Sequence, residues 1–181
     1  LKSVLGFAPK RSIPLLYKYT LRTWMQRSLP EINPTTKNIG DVCLFVDEFT
    51  DYNDTEIGIK AVEVLTHLGF RVHLANHKES GRTFLSKGLV RQAKKLANFN
   101  VSALKDIVND KMPLIGIEPS GILTFRDEYP ELVDKHLVDD AKKMAKNALM
   151  FDEFIEREIR AGRIDKTLFT TEKKKIKLHG H

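Results

Sequence analysis

Apolar positions along this chain fall into a regular order only from about residue 41 onward. Val42-Cys43-Leu44-Phe45-Val46 is a continuous apolar run of strand length. Over 56–68, Ile57, Ala61, Val64, Leu65 and Leu68 recur at helical spacing, and Gly69 supplies the stop. Residues 71–74 read as a second strand and 113–117 as a third, buried one. Residues 85–97 and 102–109 read as helices, the latter with Ser102 as N-cap. Helical patterning continues over 123–129 and 134–160, interrupted by breaks that the pattern does not place, while 168–169 and 176–178 are candidates for further strands. Strands apolar throughout are those covered on both faces. The pattern therefore predicts an α/β fold: a parallel sheet of about four strands with helices on both faces.

Residues 1–38 differ. Pro9, Pro14, Pro30 and Pro34 surround one predicted helix at 15–27, in which Leu16, Tyr19, Thr20, Thr23 and Trp24 recur among Lys18, Arg22 and Arg27. The division expected is a helical arm and linker over 1–38, then an α/β domain over 39–181. A basic amphipathic helix can lie on a membrane surface. Its apolar face is short, which fits better an arm packing Trp24 against a neighbouring domain.

Composition narrows the classes. With 181 residues, 41% of them hydrophobic, the chain can bury one ample core but not two. It contains no run of 18 apolar residues, and its first residues lack a signal-peptide core, so neither a membrane span nor secretion is expected. The single cysteine, Cys43, excludes an internal disulfide and a cysteine-only metal site. A reducing, cytoplasmic setting follows as the expectation, with Cys43 a small core residue of the first strand. The net charge of +6 is spread among acids, and its densest cluster is Lys173, Lys174, Lys175 and Lys177. No nucleic-acid signature accompanies it, so nucleic acid is not an expected partner.

In a parallel sheet, ligands gather beyond the carboxyl ends of the strands. Three polar loops should meet there: 47–55, 76–84 and 118–123. The first is acidic but lacks the glycine and distal glutamate spacing of a calcium loop, and Asp54 reads as a helix cap. In the second, His77-Lys78-Glu79-Ser80-Gly81-Arg82 can cradle an anion with backbone N–H groups at a helix start. His77, Lys78 and Arg82 are candidate anion ligands, joined by Ser120 of the third loop. His77 has no nucleophile at a recognisable spacing and reads as a surface histidine. Glu79 is expected to accept from the helix that follows, or to pair with Arg82 or Lys78. Ser120-Gly121 lacks the preceding glycine of a nucleophile elbow.

Taken together, "LFVDEFTDYNDTEIGIKAVEVLTHLGFRV", "ESGRTFLSKGLVRQAKKL" and "IGIEPSGILTFRDEYPEL" resemble the cysteine-rich, CCG-type domain of heterodisulfide reductase. The same domain occurs in FAD-linked oxidases of the glycolate oxidase and D-lactate dehydrogenase kind. The likeness covers roughly 41–181, and residues 1–27 are similar to what precedes this domain in the long flavoproteins. It implies a parent chain holding FAD and 4Fe-4S clusters and acting on a 2-hydroxy acid such as lactate or glycolate.

The same resemblance places the family's cluster cysteines at Glu48, Glu79, Ser80 and Gly121, where this chain has no thiol. It therefore implies a cluster-less, non-catalytic domain with no cofactor of its own, supporting electron transfer structurally. Its partners would be the flavin and iron–sulfur regions of the same polypeptide, with possible peripheral membrane contact. Residues 177–181 resemble the lead-in to a second, related half, which implies a piece of a longer chain; the alternative is that His179 and His181 are a cloning scar. Two rivals stand beside this: a small-molecule or anion-binding module at the sheet edge, and a membrane-surface interaction domain using the arm and the late lysines.

Overall fold

The computed structural model describes residues 6, 8, 10, 12, 15–36 and 38–177. Its centre is a sheet of four strands, all parallel, in the order β2-β1-β3-β4. The strands are β1 (Gly40–Phe45), β2 (Phe70–His73), β3 (Leu114–Gly116) and β4 (Ala148–Met150). The predicted α/β class, strand direction and two-sided helical cover are all present.

Alternation along the strands decides which layer each side chain joins. Val42, Leu44, Val46 and Ile115 face a layer built by α1 (Leu21–Ile32), α3 (Thr55–His67) and α9 (Phe151–Arg160), where Leu21, Met25, Val62, Leu65 and Phe154 are buried. Cys43, Phe45 and Leu114 face the other layer. There α5 (Val90–Leu104), α6 (Pro119–Asp127), α7 (Tyr129–Leu132) and α8 (Val138–Lys146) contribute Ala97, Val101, Phe125, Tyr129 and Met144. Cys43 is fully buried, and burial pushes its thiol up to about 11.

The arm helix begins later than the pattern predicts. Thr20 caps it by accepting from the Thr23 amide at 3.1 Å, and residues 15–17 are not helical. It then runs through Pro30 to Ile32. Its buried face enters the same core as β1, and Gly58 of α3 lets it approach: a Cβ there would stand 2.3 Å from Leu21 Cδ2. Trp24 also packs against this layer, so the apolar face of α1 is covered by protein rather than free to lie on a bilayer. No helix among the described residues is long and apolar enough to cross a membrane.

Other boundaries shift for packing reasons. Ser102 is not an N-cap but an exposed residue inside α5, which continues because Ala97, Val101 and Leu104 carry one buried stripe. A short helix, α4 (Arg82–Leu85), precedes it. The break expected within 134–160 falls at Asn147, where α8 stops, and it holds a strand the pattern did not show: β4 adds the fourth strand beside β3 before α9 starts. The fourth strand is thus β4 and not 168–169, where a short 3-10 turn ends, nor 176–177, which is unstructured and exposed. Leu178 and the histidines 179 and 181 lie outside the described residues.

Candidate functional site

β1 sends its chain to one side of the sheet, through α3 to β2, while β3 sends its chain to the other, through α6 to β4. Between β1 and β3 the connections diverge, and a crevice opens beyond the carboxyl ends, the usual ligand position in such sheets. All three expected loops reach it.

The first loop is mostly helical. Asp47 caps α2 (Glu48–Tyr52), accepting from the Phe49 and Thr50 amides at 2.9 Å and from the Thr50 hydroxyl. Burial followed by the nearby Glu118 raises its carboxyl against these bonds. Asp54 stands at the expected N-cap position of α3, but its side chain makes no capping bond.

The second loop is fixed from below. Asn100, fully buried on α5, accepts from the Lys78 amide at 2.8 Å and donates to the Glu79 carbonyl at 3.0 Å. Its amide also lies 2.9 Å from the Tyr129 hydroxyl, which donates to the Ser80 carbonyl at 2.8 Å. Gly81 turns the chain at φ +81°, close under Ala93, where a side chain would be strained. Ser80 Oγ, not Glu79, then accepts from the Arg82 amide at 3.1 Å. Arg82 pairs with Glu128, and the Lys78 ammonium stands 4.5 Å over the Phe99 ring. The expected partnerships of Glu79 with the helix, Arg82 or Lys78 do not form. Asn100 and Tyr129 hold the main chain, so the Glu79 side chain carries none of the turn's geometry.

His77 is buried, not on the surface. Its ring stacks beside Phe45 with centroids 4.6 Å apart. Nε2 accepts from the Val46 amide at 3.1 Å, and Nδ1 lies 2.9 Å from the Lys78 carbonyl, which defines the Nδ1–H tautomer. Arg22, reaching in from α1, places Nη2 2.9 Å from Nδ1 and 3.1 Å from Nε2, and donates to the Val46 carbonyl at 3.0 Å. Asp51 receives its main-chain amide at 2.9 Å and faces its guanidinium at 3.5 Å. Burial, then the charge of Arg22, pushes His77 down to about 3. It is a neutral hydrogen-bond bridge between β1 and the second loop. Sequence spacing missed it because its partners are a strand amide and an arginine 55 positions away.

Of the four positions that the resemblance assigns to cluster ligands, Glu48 and Glu79 share a cleft, which Ser80 and Gly121 do not line. Glu48, Glu79, His77, Lys78 and Arg22 line one cleft of about 360 Å³, with Asp47 and Asp51 in its wall. Both Glu48 carboxyl oxygens are buried without a well-formed hydrogen bond among the described residues, although the Glu48 and Ser80 main-chain amides stand near enough to favour the charged form a little. Burial, reinforced by the charges of Asp47 and Glu79, raises this carboxyl. Gly121 closes the crevice from the third loop: a Cβ there would meet Glu118 Oε2 at 3.2 Å and Asp47 Cβ at 3.4 Å.

A thiolate-held cluster does not fit this donor set. Gly121 supplies no side chain, and its amide donates to Glu118. The Ser80 oxygen is used in capping, and the carboxyl of Glu48 is enclosed. Among the described residues, no group of three or more His, Cys, Asp and Glu is arranged to hold a metal ion.

The candidate anion ligands are separated rather than gathered. His77 and Lys78 face the first cleft, whereas Arg82 and Ser120 line a second, of about 560 Å³, with Glu118, Asp127 and Glu128. The Ser120 hydroxyl donates to the Glu118 carboxylate at 2.7 Å. Each positive or donor group at this edge thus already has an internal partner.

No family model matches the chain, and no solved structure matches it significantly. Among curated proteins it is 26% identical over 167 residues to the D-2-hydroxyglutarate dehydrogenase of Haemophilus influenzae, covering 88% of this chain and 16% of that protein. It is 26% identical over 128 residues to the enzyme of that name from Pseudomonas putida, covering 66% and 13%. To one component polypeptide of the anaerobic glycerol-3-phosphate dehydrogenase of Escherichia coli it is 29% identical over 136 residues, covering 74% and 34%. The chain therefore spans about a third or less of each of these relatives, all of which are dehydrogenases or parts of one.

Proposed function

We propose that this chain is a cluster-less, non-catalytic domain of a large FAD-linked, iron–sulfur oxidoreductase that acts on a 2-hydroxy acid. Its work is to present a rigid carboxyl-edge surface to the flavin and cluster regions of the same polypeptide. The observation that carries this is that Glu48 and Glu79 share one cleft, with Gly121 packed against Asp47 of its wall and Ser80 next to Glu79 in the chain, and that none of the four supplies a thiolate. The dehydrogenase relatives and the small share of each that aligns support a domain within such an assembly. D-2-Hydroxyglutarate joins lactate and glycolate as a substrate class for the parent chain, on the names of two relatives.

Anaerobic reconstitution with iron and sulfide tests the first part. The expected product is colourless, with iron far below one equivalent and no paramagnetic signal after reduction. Stoichiometric iron and sulfide would overturn it. The reading frame on either side of residues 1–181 tests the second part: flavin-binding and cysteine-rich segments are expected there, and an unrelated frame would remove the assignment.

A further inference from the structure

An apolar patch flanks the acidic cleft on the α2 side. The segment before α1 is pinned across the end of α2, with the Tyr17 amide donating to the Tyr52 carbonyl at 2.8 Å and Asn53 Nδ2 donating to the Leu15 carbonyl at 3.0 Å. The Tyr17 and Tyr19 rings meet edge to face at 5.3 Å. Held this way, Leu15 is 83% and Leu16 77% exposed, beside Tyr19, Phe49 and Tyr52, which are also exposed. Leucines this open on a hydrogen-bonded segment form an apolar patch of the kind that interaction surfaces carry.

The charge beside the patch is opposite to that of the molecule. The chain is +6 overall, yet the cleft is walled by Asp47, Glu48, Asp51 and Glu79 against Arg22 and Lys78. Arg22 is committed to Asp51, the Val46 carbonyl and His77. Neither Glu48 carboxyl oxygen has a well-formed hydrogen bond among the described residues, and Glu56, exposed in the first turn of α3, lies near enough to act on Tyr17. Lys18, exposed between Leu16 and Tyr19, is the one cation of the segment 15–19. An anionic lipid surface would be repelled by this rim, whereas a basic protein surface would be drawn to it.

We infer that the Leu15–Leu16–Tyr19–Phe49–Tyr52 patch and the adjoining acidic cleft form one docking surface for a protein segment that pairs apolar side chains with lysine or arginine. The apolar residues seat on the patch, and a cation enters the cleft toward Glu48 and Glu79. Such a cation would meet Glu79 first, with the enclosed Glu48 carboxyl behind it. This deepens the multidomain reading above by giving the chemistry of the neighbouring surface, yet it fails separately: reconstitution with iron reports on the crevice, not on the patch.

The test uses the 181-residue chain and a soluble amphipathic peptide of leucine and lysine, with amide shifts followed by NMR. Saturable shifts confined to the patch and to Glu48, Lys78 and Glu79 are expected, weakening as salt rises. The double variant Glu48→Gln with Glu79→Gln should bind about tenfold more weakly, and Leu16→Ser with Tyr52→Ser should abolish saturation while circular dichroism is unchanged. An all-serine-and-lysine peptide should not bind, which separates the patch from charge alone. Shifts spread over other faces, no saturation at millimolar peptide, or preferential binding to phosphatidylglycerol vesicles would overturn the inference.

Discussion

Two glutamates with enclosed carboxyls sit at opposite ends of the same sheet and are treated in opposite ways. At the amino end, Glu158 of α9 is 1% exposed and is gripped by Arg157 at 3.0 Å and by Arg163 through both of its donors. Burial alone would raise its carboxyl, but the Arg163 and Arg157 bonds outweigh that, and its titration falls below the ordinary range. At the carboxyl end, Glu48 is enclosed without a well-formed hydrogen bond among the described residues and shifts the other way. The amino end is finished as a closing clasp for the turn after α9. The carboxyl end keeps an acid that nothing described inside the domain satisfies, which is what an edge built to meet something else looks like.

The largest expected effect breaks the clasp. Glu158→Ala removes the carboxylate that two guanidinium groups share, and both of these are partly exposed, so solvent compensates in part. A loss of about 2–3 kcal/mol is expected in urea melts, at the lower end for a broken buried pair. Glu48→Gln, by contrast, removes an unpartnered acid and should change stability by less than about 0.5 kcal/mol or raise it. Equal losses at the two positions would erase the distinction between the ends.

Next in size is Asn100→Ala. It strips partners from the Lys78 amide and the Glu79 carbonyl, both on the crevice loop. Leaving buried main-chain groups unpaired should cost about 2 kcal/mol, and the Lys78 amide should exchange with deuterium much faster. An unchanged exchange rate would mean that the loop is held by something other than Asn100 and Tyr129.

The pH dependence comes third. His77 has a folded value of about 3 against 6.5 for the free side chain, so between these the unfolded chain takes up a proton that the native chain refuses. Its contribution is complete above pH 6.5 and is lost as pH falls toward 3, with a slope approaching ~1.4 kcal/mol per pH unit. Glu158, lowered, adds to the loss below the carboxylate range, whereas Asp47 and Glu48, raised, oppose it. His77→Gln should flatten the stability profile between about pH 6.5 and 5, where carboxylates contribute least. An unaltered slope there would show that His77 is not the group that titrates.

Much of the sheet was legible because long apolar runs such as 42–46 have only one use in a parallel α/β core. β4 was not, since Ala148-Leu149-Met150 is three residues long and lies between two helical patterns. What makes it a strand is the free edge of β3, a tertiary fact. The three site loops were legible as places, because connections at the carboxyl ends follow from strand order. Their partnerships were not. Asp47, Ser80, Glu118 and Arg22 each bond across a turn or across the fold, and residue type cannot say which of several neighbouring polar groups has the angle.

The smallest effect separates two adjacent residues of the crevice loop and turns on that same difficulty. Sequence reasoning gives the role of helix acceptor to Glu79, the stronger acceptor and the charged one. In the fold, the short serine side chain is the one that reaches the Arg82 amide, because Gly81 at φ +81° swings that amide back over Ser80. Ser80→Ala should therefore cost about 1 kcal/mol, the usual loss of a capping oxygen. Glu79→Ala should stay within about 0.5 kcal/mol, as for a surface change that breaks no bond. Chemical denaturation of the pair decides it. If the losses come out reversed, the loop is held by its carboxylate, and the acid that the docking surface offers to a partner is already committed inside the domain.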